Sequence, residues 1–507
     1  MTKRFSVSLI IGFALLILNG GAIESPASKS RMFVSNFENV LGTSMEIKFQ
    51  AMNGKDAEIA ENKTLEEIDR LSKILSAYDK ESEFSIWIKS RNAQVKVSSE
   101  LFEVLSLFDK WKLLTNGALD ASAETVSRVW KEAVLKQELP SDLSLSLAVE
   151  KVKQKHWSLD YNNKTATHLD DSPLILNSFV KSYIINKAAD AALKEQNISA
   201  VVINIGGDIV VKGALNETVQ ISDPNASAEN DMPLSKLMIQ NRAVATSGNY
   251  KRGFQIGNTW YSHIVDPRTG KPAGNIISAT VVAPNASDAG ALATALNVLD
   301  PEEGLKLASS IPNVEMMLIT KDGKRLETKG WQALELPLDQ ARSSALETIN
   351  SAQPKWNPNF ELAINLEINT ISGYRSRRPF VAVWVEDENK KLVRNIAVWF
   401  DKDRYLNELR SWARVTNGFA NTNFSSISSA TRSPGAYSLK WDGKDDNGSF
   451  VKAGKYTVVI EAAREHGTHQ LMSQEINFNA TAAQFKLPGN VEIASVAFDY
   501  KKESSTK

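Results

Sequence analysis

A single histidine beside a rigid turn, followed by a hydroxyl on a helix of small residues, is the pattern in this chain with the clearest chemical potential. Histidine is scarce, with five in 507 residues. His263 precedes Asp266-Pro267-Arg268-Thr269-Gly270. Proline pre-sets φ there and glycine accepts a positive φ, so a turn is expected. Ser278–Ala283 is rich in β-formers, and Asn285 or Ser287 can cap a helix through Asp288–Leu299, whose small residues allow close backbone approach. His263 and Thr294 could therefore converge on one pocket. The same histidine would serve equally as a structural hydrogen-bonder beside the turn.

Four further groups could join such a pocket, each with a plain structural alternative. In Thr115–Asp120, TNGALD, a glycine turn precedes an acid that can hold a ligand hydroxyl or cap a helix start. In NIGGDI, Gly206-Gly207 lets backbone approach a ligand and Asp208 can accept from it; the alternative is a bulged strand. The spacing is not that of a dinucleotide-binding GxGxxG. Tyr78 offers a stacking face to a planar ring, or packs. Lys181, on the first turn of an expected helix over Ser178–Gln196, can neutralise phosphate, although solvated lysines are the rule.

These groups need elements to position them. Lys55–Leu75 and Ser98–Leu114 carry helical spacing, and Ser82 to Ser85 opens a short helical turn. Helices are also expected up to Trp130 and over Leu143–Lys153. His156–Leu159 and Thr165–Leu169 read as a hairpin, Pro173–Leu176 as a short strand, and Ser199–Val211 as one buried strand. Strands alternating with helices up to Leu336 read as one α/β unit. Pro337–Asn359 reads as a linker with a short helix, Asp339–Ile349. From Phe360 the apolar period becomes two, and WDGKDDNG supplies Asp-Gly and Asn-Gly turns, so an all-β sandwich-like domain is expected over 360–502.

Composition narrows the function. Lys+Arg and Asp+Glu are both 59, so no basic surface argues for nucleic acid. The absence of cysteine removes disulfides, thiolate catalysis and cysteine metal sites. Lys3-Arg4, the apolar run Phe5–Leu18 and the small residues that follow have the layout of a secretory signal peptide over 1–22. No other stretch is long enough to span a bilayer.

Taken in order, LSAYDKESEFS, TNGALD, the Lys181 helix, NIGGDI, TSGNYKRGF, YSHIVDPRTGKP and SDAGALATAL resemble the ApbE-type FAD:protein FMN transferase family over about residues 32–336. The resemblance implies an α+β/α/β flavin-transferase-like domain over 31–336. It also implies a bacterial envelope or periplasmic enzyme that uses FAD and magnesium (Mg2+) to attach FMN through a phosphoester to a threonine of an acceptor flavoprotein. Some members hydrolyse FAD to FMN and AMP instead. Carried over by position, His263 is the catalytic base or positions phosphate. Tyr78 stacks on the isoalloxazine. Leu41 stands for a flavin-contacting methionine. Ala118, Leu119, Asp120, Asp208 and Ile264 hold FAD, and Lys181 meets the phosphates. Ser178, through its backbone oxygen, and Thr294 are the metal positions.

The departures cluster at the metal and phosphate positions. Gly290 stands where the pattern A-D-A-L-A-T has its ligating aspartate. Asp288 is six residues before Thr294, about 240° away on a helix, and cannot replace it. In the segment resembling L-D-L-G-G-x-A-K-G-Y, Ile175 replaces the aspartate, and Asn177, Ser178 and Ser182 replace glycines. Glu124-Thr125 replaces Gly-Pro. A protein that keeps the fold and the flavin but not the chemistry is therefore a second reading, and a scaffold presenting the β domain a third. The C-terminal part resembles an uncharacterised envelope β domain, with an Ig-like turn like that of flagellar hook-capping modules. His466 and His469 could be ligands there, or could sit at a strand end.

Overall fold

The computed structural model describes residues 30–249, 253–337, 356–370, 378–400, 403–416, 428–429, 431–432, 434–464 and 467–502. The expected signal peptide and the Asp339–Ile349 helix lie outside them, as does His466.

The N-terminal half is built on an eight-stranded sheet: β1 (Arg31–Val40), β2 (Thr43–Ala51), β3 (Ile198–Ile205), β4 (Asp208–Gly213), β5 (Arg242–Gly248), β6 (Ile276–Ala283), β7 (Glu315–Thr320) and β8 (Arg325–Glu327), in that spatial order. Every neighbouring pair is antiparallel. The unit is thus an antiparallel sheet with helices on one face, within the α+β/α/β class that the resemblance implied. Strand alternation gives the sheet two apolar faces. On one, Ile47, Phe49, Val201, Ile203, Ala245 and Val281 pack under three helices: α1 (Gly54–Leu75), α2 (Val180–Leu193) and α3 (Ala286–Leu296). On the other, Val202, Val211, Val244 and Val282 pack against Val219 and Leu237 of a small sheet of strands Glu217–Ile221, Ser235–Ile239 and Glu335–Leu336, and against Trp331 of the short helical turn Trp331–Ala333.

The helix starts follow their caps. Asn53, Ser82, Ser98 and Asn285 accept backbone N–H bonds at the first turns of the helices they precede, each satisfying a donor that the helix cannot. Ser287 lies inside α3, so Asn285 is its cap. Two expectations fail. Ser199–Val211 is not one bulged strand but the hairpin β3–β4, with Gly206 and Gly207 both at positive φ (59° and 97°) in its two-residue turn. That is the turn chemistry of a right-twisted hairpin. Pro173–Leu176 forms no strand; the Ile175 N–H bonds the Ala121 carbonyl instead.

The hairpin Trp157–Asp160/Thr165–His168 forms as expected and is pinned by two buried histidines that face one aspartate. His156 Nδ1 lies 2.8 Å from Asp170 Oδ2, and His168 Nδ1 lies 2.7 Å from the Ile88 carbonyl. Burial pushes the His168 imidazole below its ordinary 6.5. Burial works against the Asp170 carboxylate, but the Ser172 N–H and His156 hold its pKa below 3.8. The unfolded chain therefore takes a proton at position 168 before the folded chain does, so stability falls as pH drops from about 6.5 towards the folded value. The Asp170 contribution is present above 3.8 and is lost as pH falls through its lowered value. Urea midpoints measured against pH should lose the upper step in His168→Gln and the lower step in Asp170→Asn.

The C-terminal region is all-β. A four-stranded sheet, ordered Gly435–Trp441, Phe360–Ile368, Ile493–Lys502, Ala483–Pro488, packs on a five-stranded one containing Phe380–Glu386, Leu392–Trp399, Gly454–Ala463 and His469–Phe478. Leu362, Ile364 and Leu366 face Val381, Val383 and Val385, and Trp356, Trp441, Phe478 and Tyr500 close one end with rings 4.8–5.5 Å apart. The outer face of the second sheet is covered by Trp412 of the short helix Arg410–Val415. The strand Gly435–Trp441 is an edge, and a loop of the N-terminal half lies along it. The Glu229 N–H bonds the Ser438 carbonyl at 3.0 Å, and the Asn230 amide bonds both the carbonyl and the N–H of Lys440, at 2.6 and 2.8 Å. Among the described residues, no helix is long and apolar enough to cross a membrane.

Candidate functional site

Of the residues selected from the sequence, Tyr78, Ser178, Lys181, Asp208 and Thr294 gather around the start of α2. No side chain caps this helix, and its first turn carries Lys181 and no acid. Just before it, the exposed Asn177 donates its amide to the Tyr78 hydroxyl at 2.6 Å. That bond tethers a ring which is otherwise 76% exposed. One residue on, the Thr294 hydroxyl donates to the Ser178 carbonyl at 3.0 Å, joining α3 to the start of α2. A turn further along, Ser182 Oγ donates to Asp208 Oδ2 at 2.8 Å. Asp208 opens β4 directly after the glycine turn. Its carboxyl is partly buried, and burial pushes its pKa up against the opposing pull of Lys181 and the Ser182 bond. Leu41 belongs to the β1–β2 turn, at a φ of 48°. That turn lies beside the glycine turn, since a Cβ on Gly206 would meet the Thr43 side chain at 3.0 Å.

His263 lies on a separate loop. It is exposed, and the loop behind it is rigid. The Ala273 N–H bonds the Ile264 carbonyl, and the Gly270 N–H bonds the Asp266 carbonyl, both at 2.8 Å. Arg268 grips Asp266 with two nitrogens at 3.0 and 3.1 Å. Asn249 reaches the Ala273 carbonyl at 3.4 Å, while Asn297 of the α3 C-cap reaches the Ser247 carbonyl at 3.0 Å. The histidine loop and α3 are thus tied to the same end of β5. The Thr115–Asp120 turn lies against this loop, with Gly117 beside the Arg268 stem.

Three selected residues are structurally committed. Ala118 and Leu119 are buried in the helix-side core, so contact with a ligand falls to their backbone. Asp120 accepts from the Ser122 N–H and hydroxyl at 2.8 and 2.6 Å and pairs with Lys112 at 2.6 Å. It caps the turn that follows it. Asp288 pairs with Asn285 and Lys110 and plays no part with Thr294. His469 bonds the buried Glu461, which gives it a structural partner in place of a metal.

The donors around Thr294 decide whether a magnesium ion fits. Thr294 Oγ1 and the Ser178 oxygen are 3.0 Å apart, close to the spacing of two adjacent ligands at about 2.1 Å from an octahedral ion. Both are uncharged, however, and they are bonded to each other. Gly290 supplies no carboxylate, and the Asp208 carboxylate is held by Ser182. Among the described residues, no three His, Cys, Asp or Glu converge. A hard divalent ion needs anionic oxygen, so these residues do not fit it. Two participants escaped the sequence reading: Asn177 as the tether of Tyr78, and Ser182 as the partner of Gly290. Both stand where the resemblance has glycine, and that was their only signal.

A model described as the ApbE family matches residues 41–318, more than half of the chain. The chain belongs to the ApbE family. The FAD:protein FMN transferase of Vibrio cholerae is 29% identical over 327 residues, covering 62% of this chain and 94% of that protein. The enzyme of that name from Haemophilus influenzae is 26% identical over 356 residues, covering 66% and 98%. The ApbE protein of Thermotoga maritima superposes with a TM-score of 0.54 at 24% identity, over 61% of this chain and all of that one. The flavin transferase ApbE of Vibrio cholerae gives 0.50 at 22%, over 60% and 99%. These two solved structures establish the shared fold. Residues 361–495 match a second model, described as a predicted periplasmic protein, DUF2271.

Proposed function

We propose that this chain is an exported, periplasmic FAD:protein FMN transferase of the ApbE family. The observation that carries the reading is the convergence at one helix start. A helix N-terminus without a side-chain cap, whose Val180 N–H bonds the Leu176 carbonyl and whose first turn carries Lys181, stands beside a tethered aromatic ring, Tyr78. Such a start offers N–H groups and a cation to a pyrophosphate, and Tyr78 offers a face to the isoalloxazine. Leu41 and the glycine turn line the flavin end, with Asp208 behind them. The main chain of Ala118–Asp120 and Ile264 would hold the remainder of the FAD.

In the reaction, a threonine hydroxyl of the acceptor flavoprotein attacks the FMN phosphorus. A new P–O bond forms, the bond to the AMP phosphate breaks, and AMP leaves. His263 takes the hydroxyl proton as general base, a role worth about 10²–10⁴-fold in rate. The charge that builds on the pyrophosphate is met by Lys181 and the N–H groups of α2. No step is assigned to a metal. Residues 1–22 would be removed on export.

A second reading, flavin binding without transfer, is favoured by the missing carboxylate at 290. The purified protein should bind FAD, and with an acceptor should release AMP. His263→Ala should keep FAD binding and cut AMP release by about 10²–10⁴-fold. FAD binding with no AMP above that variant would leave the second reading. No FAD binding would end both and leave a scaffold.

A further inference from the structure

Ser182 and Gly290 face each other where α2 crosses α3. A Cβ built on Gly290 would lie 2.3 Å from Ser182 Oγ, 3.1 Å from Ser182 Cβ and 3.3 Å from Phe179 Cβ. Ser182 is fully buried, and its hydroxyl is spent on Asp208 at 2.8 Å. The space for a side chain at 290 is therefore taken by the side chain at 182. Asp208, the carboxylate bonded to this position, is turned onto that hydroxyl and faces the charge of Lys181.

We infer that Ser182 and Gly290 are a complementary pair that closes this position to a divalent cation, so that the chain binds its dinucleotide without one. The ligand half of this inference rests on the FAD reading above; the cation half does not. Two neutral oxygens remain, Ser178 O and Thr294 Oγ1, joined by one hydrogen bond, and neither brings the negative charge that a hard divalent ion needs. To bring Asp208 onto an ion, Ser182 would have to be left buried and unpaired, which is itself unfavourable. Lys181 and the open helix start supply the positive charge that a cation would otherwise bring.

The pairing has a consequence that simple loss of a ligand lacks. Gly290→Asp alone cannot create a metal site. Its Cβ would collide with a short, buried side chain that has nowhere to go without giving up Asp208. The exchange has to be made at both positions.

The test is magnesium titration of the flavin-free protein by calorimetry and thermal melting, for wild type, Gly290→Asp, Ser182→Gly and Ser182→Gly/Gly290→Asp. Wild type and Ser182→Gly should show no magnesium heat and no shift in Tm. Gly290→Asp should melt lower and still ignore the ion. The double variant should recover the melting temperature and bind magnesium, seen as a Tm that climbs with its concentration. FAD titrated into wild type should give the same Kd in EDTA and in magnesium, within about twofold.

Magnesium binding by wild type that disappears in Thr294→Ala would overturn the inference. So would an FAD affinity that rises about tenfold or more with magnesium, or a folded double variant that ignores the ion. Failure of wild type to take up FAD in either buffer would overturn the FAD reading instead, because the flavin-free titrations judge the pair independently.

Discussion

Glu461→Ala should destabilise the C-terminal region by about 3–5 kcal/mol, an effect of the size seen when one partner of a buried charge network is removed. Glu461 is 0% exposed in the middle of the apolar strand Gly454–Ala463. Its two oxygens accept from the Ser411 and Trp412 N–H groups at 2.8 and 2.7 Å, and His469 closes the set. These N–H groups open the short helix that carries Trp412 over the sheet, and Trp412 in turn donates to Asn395 at 2.8 Å. Asn395 is itself held by Asp446 at 2.8 Å. Alanine would leave two buried donors without partners, each costing about 1–3 kcal/mol. Glu461→Gln keeps the shape and part of the bonding, so it should lose less. His469→Ala should lose least, because that side chain is 32% exposed. Urea denaturation followed by tryptophan fluorescence reads all three. A loss under about 1 kcal/mol in Glu461→Ala would mean that the network contributes no more than an ordinary surface contact.

Lys181→Glu should weaken FAD binding by about 30- to 100-fold, or about 2–3 kcal/mol. The substitution removes a cation from the open start of α2 and places an anion where the pyrophosphate would lie. It also sets a second carboxylate beside Asp208, whose carboxyl burial already pushes up. The folded variant should therefore hold Asp208 protonated to higher pH still. Lys187→Glu is the matched control: the same helix, the same charge change, but a lysine paired with Glu103 at 3.0 Å. It should leave FAD binding within about twofold of wild type. Fluorescence titration with FAD at two salt concentrations distinguishes the two variants, since wild-type affinity should fall with salt and that of Lys181→Glu should not. Equal affinity in wild type and Lys181→Glu would remove the pyrophosphate from this helix start.

How much of this was legible depended on whether the signal was local. The helix openings at Ser82 and Asn285 are read within four residues, and the helices over Lys55–Leu75 and Ser98–Leu114 follow from local spacing. The period-two run from Phe360 identified the β region because one face of the strand Phe360–Ile368 is buried. The 198–213 segment misled because both of its strands are apolar on both faces, so no alternation marked the hairpin turn. Pro173–Leu176 misled because apolar composition does not provide a pairing partner. Antiparallel order in the main sheet was hidden, since helices and small sheets intervene between strands that end up adjacent. At the site, residue types were legible in order, but their pairing was not. Ser182 and Gly290 read as two separate losses until the crossing of α2 and α3 placed one against the other. Glu461 did carry a local sign, a lone carboxylate inside VVIEAA, which is unusual in a strand buried on both faces.

The loop that carries Glu229 and Asn230 bears on how the two halves can exist apart. By occupying the outward backbone groups of Ser438 and Lys440, it acts as a lid on a strand that would otherwise recruit another strand. Severed from that loop, the β region would show neighbouring molecules a bare row of donors and acceptors, the usual template for sheet-to-sheet clumping. The fusion of the two halves therefore covers part of an edge that the β region alone would leave bare.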